Sequence, residues 1–222
     1  SLIPDGGYNK QAYETAGVSL AKWLNTFGVT AFVLLHRLPN QPDVKDATIV
    51  PFQDAQRAVR WVRAHAAEYG IDPNQVGVIG CSAGGHVCAG VSTISKDLSA
   101  CGDSLDQQPF RPNFCILVSP VISVYGYKGQ HPRIAEMMEK NKFDEMVTKD
   151  NPPTLLIHAA DDRTVNVSNS VKYFTALQQA GVKNCSLHVF PFGGHSISLR
   201  SQPGSTALWP AIAEEWMKEV ME

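Results

Sequence analysis

Three kinds of side chain, widely spaced in this chain, could share one reaction: a serine, a carboxylate and a histidine. Gly80-Cys81-Ser82-Ala83-Gly84 is a Gly-x-Ser-x-Gly pentapeptide. Such a pentapeptide arises by chance in glycine-rich loops, and this chain has 17 glycines. Its flanks decide the reading. Gln75-Val76-Gly77-Val78-Ile79 in front is short and β-branched, as a buried strand would be. Ala83-Gly84-Gly85-His86-Val87-Cys88-Ala89 behind is small and helix-compatible. A serine at a direct strand-to-helix turn stands in a strained corner with its Oγ clear of the backbone. That is how a nucleophile is presented.

A serine hydroxyl is a poor nucleophile at neutral pH and needs a base, with a third group to orient that base. Both are expected on loops after later strands, the acid first and the histidine second. Phe192-Gly193-Gly194-His195-Ser196 follows the last strand-like run, so His195 is the candidate base. Asp161 and Asp162 follow Leu155-Leu156-Ile157-His158, and either could be the acid; ordinary turn aspartates are also common there. A tetrahedral oxyanion needs N–H donors. Ala83 supplies one at the start of the helix, and Gly6 and Gly7 are the candidate source of another. The other histidines compete poorly. His158 and His188 lie inside strands and read as core or surface residues. His36, His65 and His131 lie on an early strand end, a helix and an insertion. His86, one turn past Ser82, reads as shaping the pocket floor.

These residues need a scaffold. Ser1-Leu2-Ile3 reads as a strand end and Pro4-Asp5-Gly6-Gly7-Tyr8 as a loop. Helical spacing runs from Gln11 to Phe27, with Tyr13, Ala16, Leu20 and Leu24 inward. Val29 to Leu35 reads as a buried strand. Pro51 opens a helix ending at Gly70, with Phe52, Ala55, Val59, Val62, Ala66 and Tyr69 inward and Gln53, Arg57, Arg60 and Glu68 outward. Residues 95–112 read as irregular, and Phe114 to Val118 as a strand. Residues 124–150 read as an insertion over the top of the sheet, with a short charged helix around Ile134 to Lys140. Tyr125, Tyr127 and His131 belong to it; a solvated insertion is the simpler reading and a pocket lining the alternative. Asn166 to Ala180 reads as a helix with Val167, Val171, Phe174 and Leu177 inward. Ser186 to Phe190 is the last strand, and Ser205 to Met221 a closing helix with Leu208, Ile212, Trp216 and Val220 inward. Continuous apolar strands alternating with helices predict a mostly parallel sheet covered on both faces, an α/β fold in a single domain over 1–222.

The 222 residues suit one domain, which buries roughly 70% of its unfolded-chain surface. A net charge of −2 gives no footprint for nucleic acid and no polybasic membrane surface. No apolar run approaches the roughly 20 residues of a membrane span. Five cysteines without a Cys-x-x-Cys pair argue against a disulfide framework or a zinc site. Cys81, Cys88, Cys115 and Cys185 read as small core residues. This usage leans towards a cytoplasmic, reducing compartment; secretion after loss of a leader is also compatible.

The combination now has a family look. Pro4-Asp5-Gly6-Gly7-Tyr8, Pro51-Phe52-Gln53-Asp54-Ala55, Gly70-Ile71-Asp72-Pro73, Gly80-Cys81-Ser82-Ala83-Gly84-Gly85-His86, His158-Ala159-Ala160-Asp161-Asp162 and Gly193-Gly194-His195 together resemble the α/β-hydrolase superfamily. Within it, the chain resembles the small esterase/lipase branch with acetyl-xylan-esterase-like and feruloyl-esterase-like members. The resemblance implies Ser82 as nucleophile, His195 as base and, four residues after the histidine of a His-Gly-x-x-Asp pattern, Asp162 as acid. It implies hydrolysis of small acyl esters, acetyl esters among them, on small-molecule or carbohydrate substrates, without metal or organic cofactor. A peptidase or amidase would share every motif, and a non-catalytic binding protein would share the fold. Asp5 stands where the branch has a glycine and is expected to turn to solvent. Ala159 and Asn166 also depart from its pattern. The branch carries further strands before the glycine-rich loop, where this sequence has only Leu2-Ile3.

Overall fold

The computed structural model describes residues 1–123, 131–195, 197, 199 and 202–222. Tyr125 and Tyr127 lie outside the described residues. Five strands form one parallel sheet in the order β1-β2-β3-β4-β5: β1 Leu2–Ile3, β2 Gly77–Cys81, β3 Phe114–Val118, β4 Thr154–Ala159 and β5 Ser186–Phe190. The central three are apolar and almost wholly buried, as strands covered on both faces must be.

Successive side chains of each strand feed two different cores. Val78, Cys115, Leu117 and Leu156 point to one face, where α2 (Val50–Ala64), α3 (Ala83–Thr93), α4 (Pro132–Lys140) and α5 (Ser168–Gln179) pack through Phe52, Val87, Met137 and Tyr173. Ile79, Ile116, Leu155 and Ile157 point to the other, under α1 (Ser19–Asn25) and α6 (Trp209–Met221), which contribute Leu20, Trp209 and Trp216. The result is the α/β sandwich that the strand–helix alternation predicts. Among the described residues no helix is long and apolar enough to cross a membrane.

Several details differ from the sequence reading. Residues 29–35 do not form a full strand. They contact β1 through a single bridge, Leu2 to Val33, with Leu2 N–H donating to Phe32 O and Leu34 N–H to Leu2 O. A two-residue partner has no more groups to offer, so the ladder stops, and Leu35 is exposed. Residues 11–27 divide into a wide turn at Tyr13–Val18 and α1, and Tyr13 faces solvent. The helix from residue 50 ends at Ala64, so Tyr69 falls in the following turns and is exposed.

Arg60 is not on an outer face but buried. Residues 95–108 fold over α2, and Arg60 donates to Asp97 Oδ1 and Oδ2 (2.9 and 2.6 Å), Ser99 Oγ (2.7 Å) and Gln108 O (2.9 Å). The insertion helix α4 is likewise no solvated element. Ile134, Met137 and Met138 are fully enclosed, and Asn141 anchors its end to Thr48 O and Met137 O. In α5 the buried face is rotated: Asn169, Ser170, Tyr173 and Leu177 point inward, and Val171 is exposed. In the closing segment Leu208 is exposed. All five cysteines are free thiols, with Cys185 only half-buried.

Candidate active site

Ser82 sits between β2 and α3 at φ 53° and ψ −119°, a conformation that costs a non-glycine residue about 1–3 kcal/mol. Backbone bonds hold it there. Ser82 N–H donates to Val118 O at the end of β3, and Ser82 O accepts from Val121 N–H, both at 3.1 Å. The two glycines of the motif are required by space. A Cβ on Gly80 would strike the carbonyl of Gly84, and one on Gly84 would strike the carbonyls of Ile3 and Pro4. The second contact also shows that the loop after β1 lies against the serine turn.

The loops after β4 and β5 bring in the other two side chains. His195 Nε2 is 2.8 Å from Ser82 Oγ, and its Nδ1 is 2.8 Å from Asp162 Oδ2. The carboxylate can only accept, so Nδ1 carries the hydrogen and Nε2 is free to accept from the serine hydroxyl. Asp162 Oδ1 accepts from the N–H groups of Thr164 and Val165 at 2.9 and 2.8 Å, a local turn that fixes the carboxylate. The Asp162 side chain is wholly shielded from solvent. That burial pushes its pKa up, but hydrogen bonds from His158, His195 and Val165 N–H outweigh it and hold the carboxyl well below the usual range.

The two aspartates left open by spacing are thus distinguished. Asp162 meets His195, while Asp161 is exposed and accepts the Gly194 N–H at 2.8 Å. The competing histidines have other partners: His36 donates to Arg37 O, and His188 pairs with Ser186. His86 does not line a pocket floor. It is fully enclosed, with Nε2 donating to Asn141 O at 3.0 Å and Nδ1 accepting from Tyr8 OH at 2.8 Å. Burial lowers its pKa to about 4. His131 caps α4, its Nδ1 accepting from Arg133 N–H.

Ala83 is the first residue of α3, where a backbone N–H has no intrahelical acceptor. Gly6 and Gly7, at φ 137° and 62°, belong to the loop that passes over the turn. Tyr8, also at positive φ, ties that loop to α3 through His86. Asp5 is half-buried, with its Oδ1 shielded from solvent. Burial pushes the neighbouring Cys81 thiol up to about 12, and the Asp5 charge adds to the shift. His158, read from sequence as a core or surface histidine, has its Nε2 3.3 Å from Asp162 Oδ2. Its signal was a histidine inside a fully buried, mostly apolar strand.

A parallel sheet between two helical layers, with a serine at a strand-to-helix turn and histidine and aspartate on later loops, defines the α/β-hydrolase fold. Within that fold, the chain belongs to the prolyl oligopeptidase family, which residues 45–222 match. An acetylxylan esterase of Xylanibacter ruminicola is 35% identical over 211 residues, a match covering 87% of this chain and 39% of that protein. The crystal structure of an acetyl ester-xyloside bifunctional hydrolase from Caldicellulosiruptor lactoaceticus superposes with a TM-score of 0.83 at 33% identity, covering 99% of this chain and 82% of that one. A propionate-bound esterase of Thermogutta terrifontis superposes with a TM-score of 0.79 at 25% identity, over 98% and 81% of the two chains. The chain spans less than half the length of the curated relatives it matches, 39% and 32% of the first two.

Proposed function

We propose that this chain is a serine carboxylic-ester hydrolase acting on small acyl esters, acetyl esters foremost. The observation that carries the reading is the continuous pair of 2.8 Å hydrogen bonds from Ser82 Oγ through His195 to Asp162. His195 Nε2 takes the Ser82 proton as Oγ attacks the ester carbonyl. Asp162 holds the imidazole tautomer and stabilises its charged form. The N–H of Ala83, with those of Gly6 or Gly7, receives the charge that develops on the carbonyl oxygen. His195 then protonates the leaving alcohol. A water repeats the sequence in reverse and frees the acid. The machinery uses only groups of the chain. Residues 1–222 act as one domain, and the described part of the insertion, from 131 to 150, packs on its core through α4.

The acetyl preference draws on the relatives, one named an acetylxylan esterase and another an acetyl ester-xyloside bifunctional hydrolase. A fluorophosphonate probe should label Ser82, and p-nitrophenyl acetate should be cleaved faster than butyryl or longer esters. A folded protein that neither labels nor hydrolyses would defeat the reading. The family's peptidase name favours a second reading, an amidase acting on peptides. Aminoacyl anilides compared with p-nitrophenyl acetate and acetylated xylan separate the two. A non-catalytic role is disfavoured because all three reactive side chains are present and in contact.

A further inference from the structure

His158 lies in β4, all six of whose residues are buried. Its ring faces polar atoms on both sides. Nε2 is 2.9 Å from Val165 O and 3.3 Å from Asp162 Oδ2. Both can only accept, so Nε2 carries a hydrogen. Nδ1 is 2.7 Å from Ser170 Oγ, in the first turn of α5. Asp162 Oδ2 is therefore flanked by two imidazoles, His195 at 2.8 Å and His158 at 3.3 Å, while Oδ1 takes two backbone N–H groups. Both oxygens of the buried carboxylate are held by donors on different segments.

We infer that His158 is a positioning residue for the proposed reaction: its ring, held by Ser170 and by donation to Val165 O, sets the Nε2–H edge against Asp162 Oδ2 at 3.3 Å, keeps that oxygen aligned with His195 and draws part of the carboxylate charge away from that imidazole. The inference rests on the reading of Ser82, His195 and Asp162 as the reacting set. The His158 contact also leads the influences that hold the Asp162 carboxyl low against its burial. Among the described residues, the groups facing Asp162 are His158, His195 and the Thr164 and Val165 N–H; Ser82 faces His195, and Asp161 reaches the same loop through Gly194 N–H.

The test measures kcat and KM for p-nitrophenyl acetate against pH in wild type, His158→Gln, His158→Met and Ser170→Ala, each checked for folding by circular dichroism. Met removes both ring nitrogens at similar volume, and Gln can return an N–H near Nε2. His158→Met should lose about tenfold or more in kcat at unchanged KM. Its acid limb of kcat/KM should move to higher pH, because more negative charge then faces His195. His158→Gln should recover kcat to within about threefold of wild type, given the retained donor. Ser170→Ala should move both quantities in the same direction by less. A folded His158→Met with wild-type kcat and acid limb overturns the inference. So do Gln and Met variants equally impaired with the acid limb unmoved, which would mean that only shape matters. If His158→Met does not fold, an unchanged Ser170→Ala overturns it. Failure of the underlying reading is separate: wild type itself would then not be labelled at Ser82.

Discussion

Asp161 Oδ1 accepts the Gly194 N–H at 2.8 Å, one residue before the histidine that Asp162 meets. Two consecutive acidic side chains thus hold one loop, the first by its backbone and the second by its imidazole. Gly193 and Gly194 carry φ of 144° and 61°, which other residues rarely adopt, so the loop needs outside restraint to keep one shape. Asp161→Ala should therefore lower kcat by about three- to tenfold, the loss of one exposed hydrogen bond to a charged group. Asp162→Asn should cost about 10⁴-fold, because an amide cannot hold the same tautomer. Steady-state kinetics on p-nitrophenyl acetate checks both. Equal losses would mean that the two aspartates are not divided in this way.

Ser82→Ala should remove fluorophosphonate labelling and lower kcat by about 10⁶-fold, leaving residual turnover from backbone donors and binding. Mass spectrometry of the labelled peptide identifies the modified residue. Label on any other residue would move the nucleophile elsewhere.

His86 should make the fold acid-sensitive. Its pKa is about 4 in the folded chain, against an ordinary 6.5. Between those values the unfolded chain binds a proton that the folded one refuses. The stabilisation is complete above pH 6.5 and is lost as pH falls towards 4, up to about 3 kcal/mol. Burial lowers His36 and His188 too, so they act in the same direction. Asp162, held low, adds stability that is fully present above the ordinary carboxylate range and is lost only as pH falls below it. Thermal unfolding at pH 7, 5.5 and 4.5 should show a smaller drop in Tm for His86→Gln than for wild type. Parallel slopes would remove His86 as the cause.

Gly84→Ala should destabilise the fold by about 3 kcal/mol or more, since the new methyl meets the carbonyls of Ile3 and Pro4, which are backbone and cannot swing away. Denaturant unfolding measures it. The same change on Gly70, which has open space around it, would instead report only the strain of its positive φ.

The sequence by itself determined which residues could react and roughly where each would sit. Apolar β-branched runs can be satisfied only inside a covered parallel sheet, and small residues around Ser82 permit only a tight turn. Those local constraints need no knowledge of distant contacts. Tertiary structure decided what depends on neighbours. Arg60 is buried because residues 95–108 fold across it, a contact that helical periodicity does not encode. Val171 lost the inward face of α5 to Asn169 and Ser170, whose polar atoms meet Ile122 and Ser123 N–H and the His158 ring. Residues 29–35 read as a strand, but pairing needs a partner as long as itself, and β1 offers two residues. The division of labour between Asp161 and Asp162 was of the same kind. Adjacent side chains point in different directions, and only the path of the loop carrying His195 determines which of them the imidazole meets.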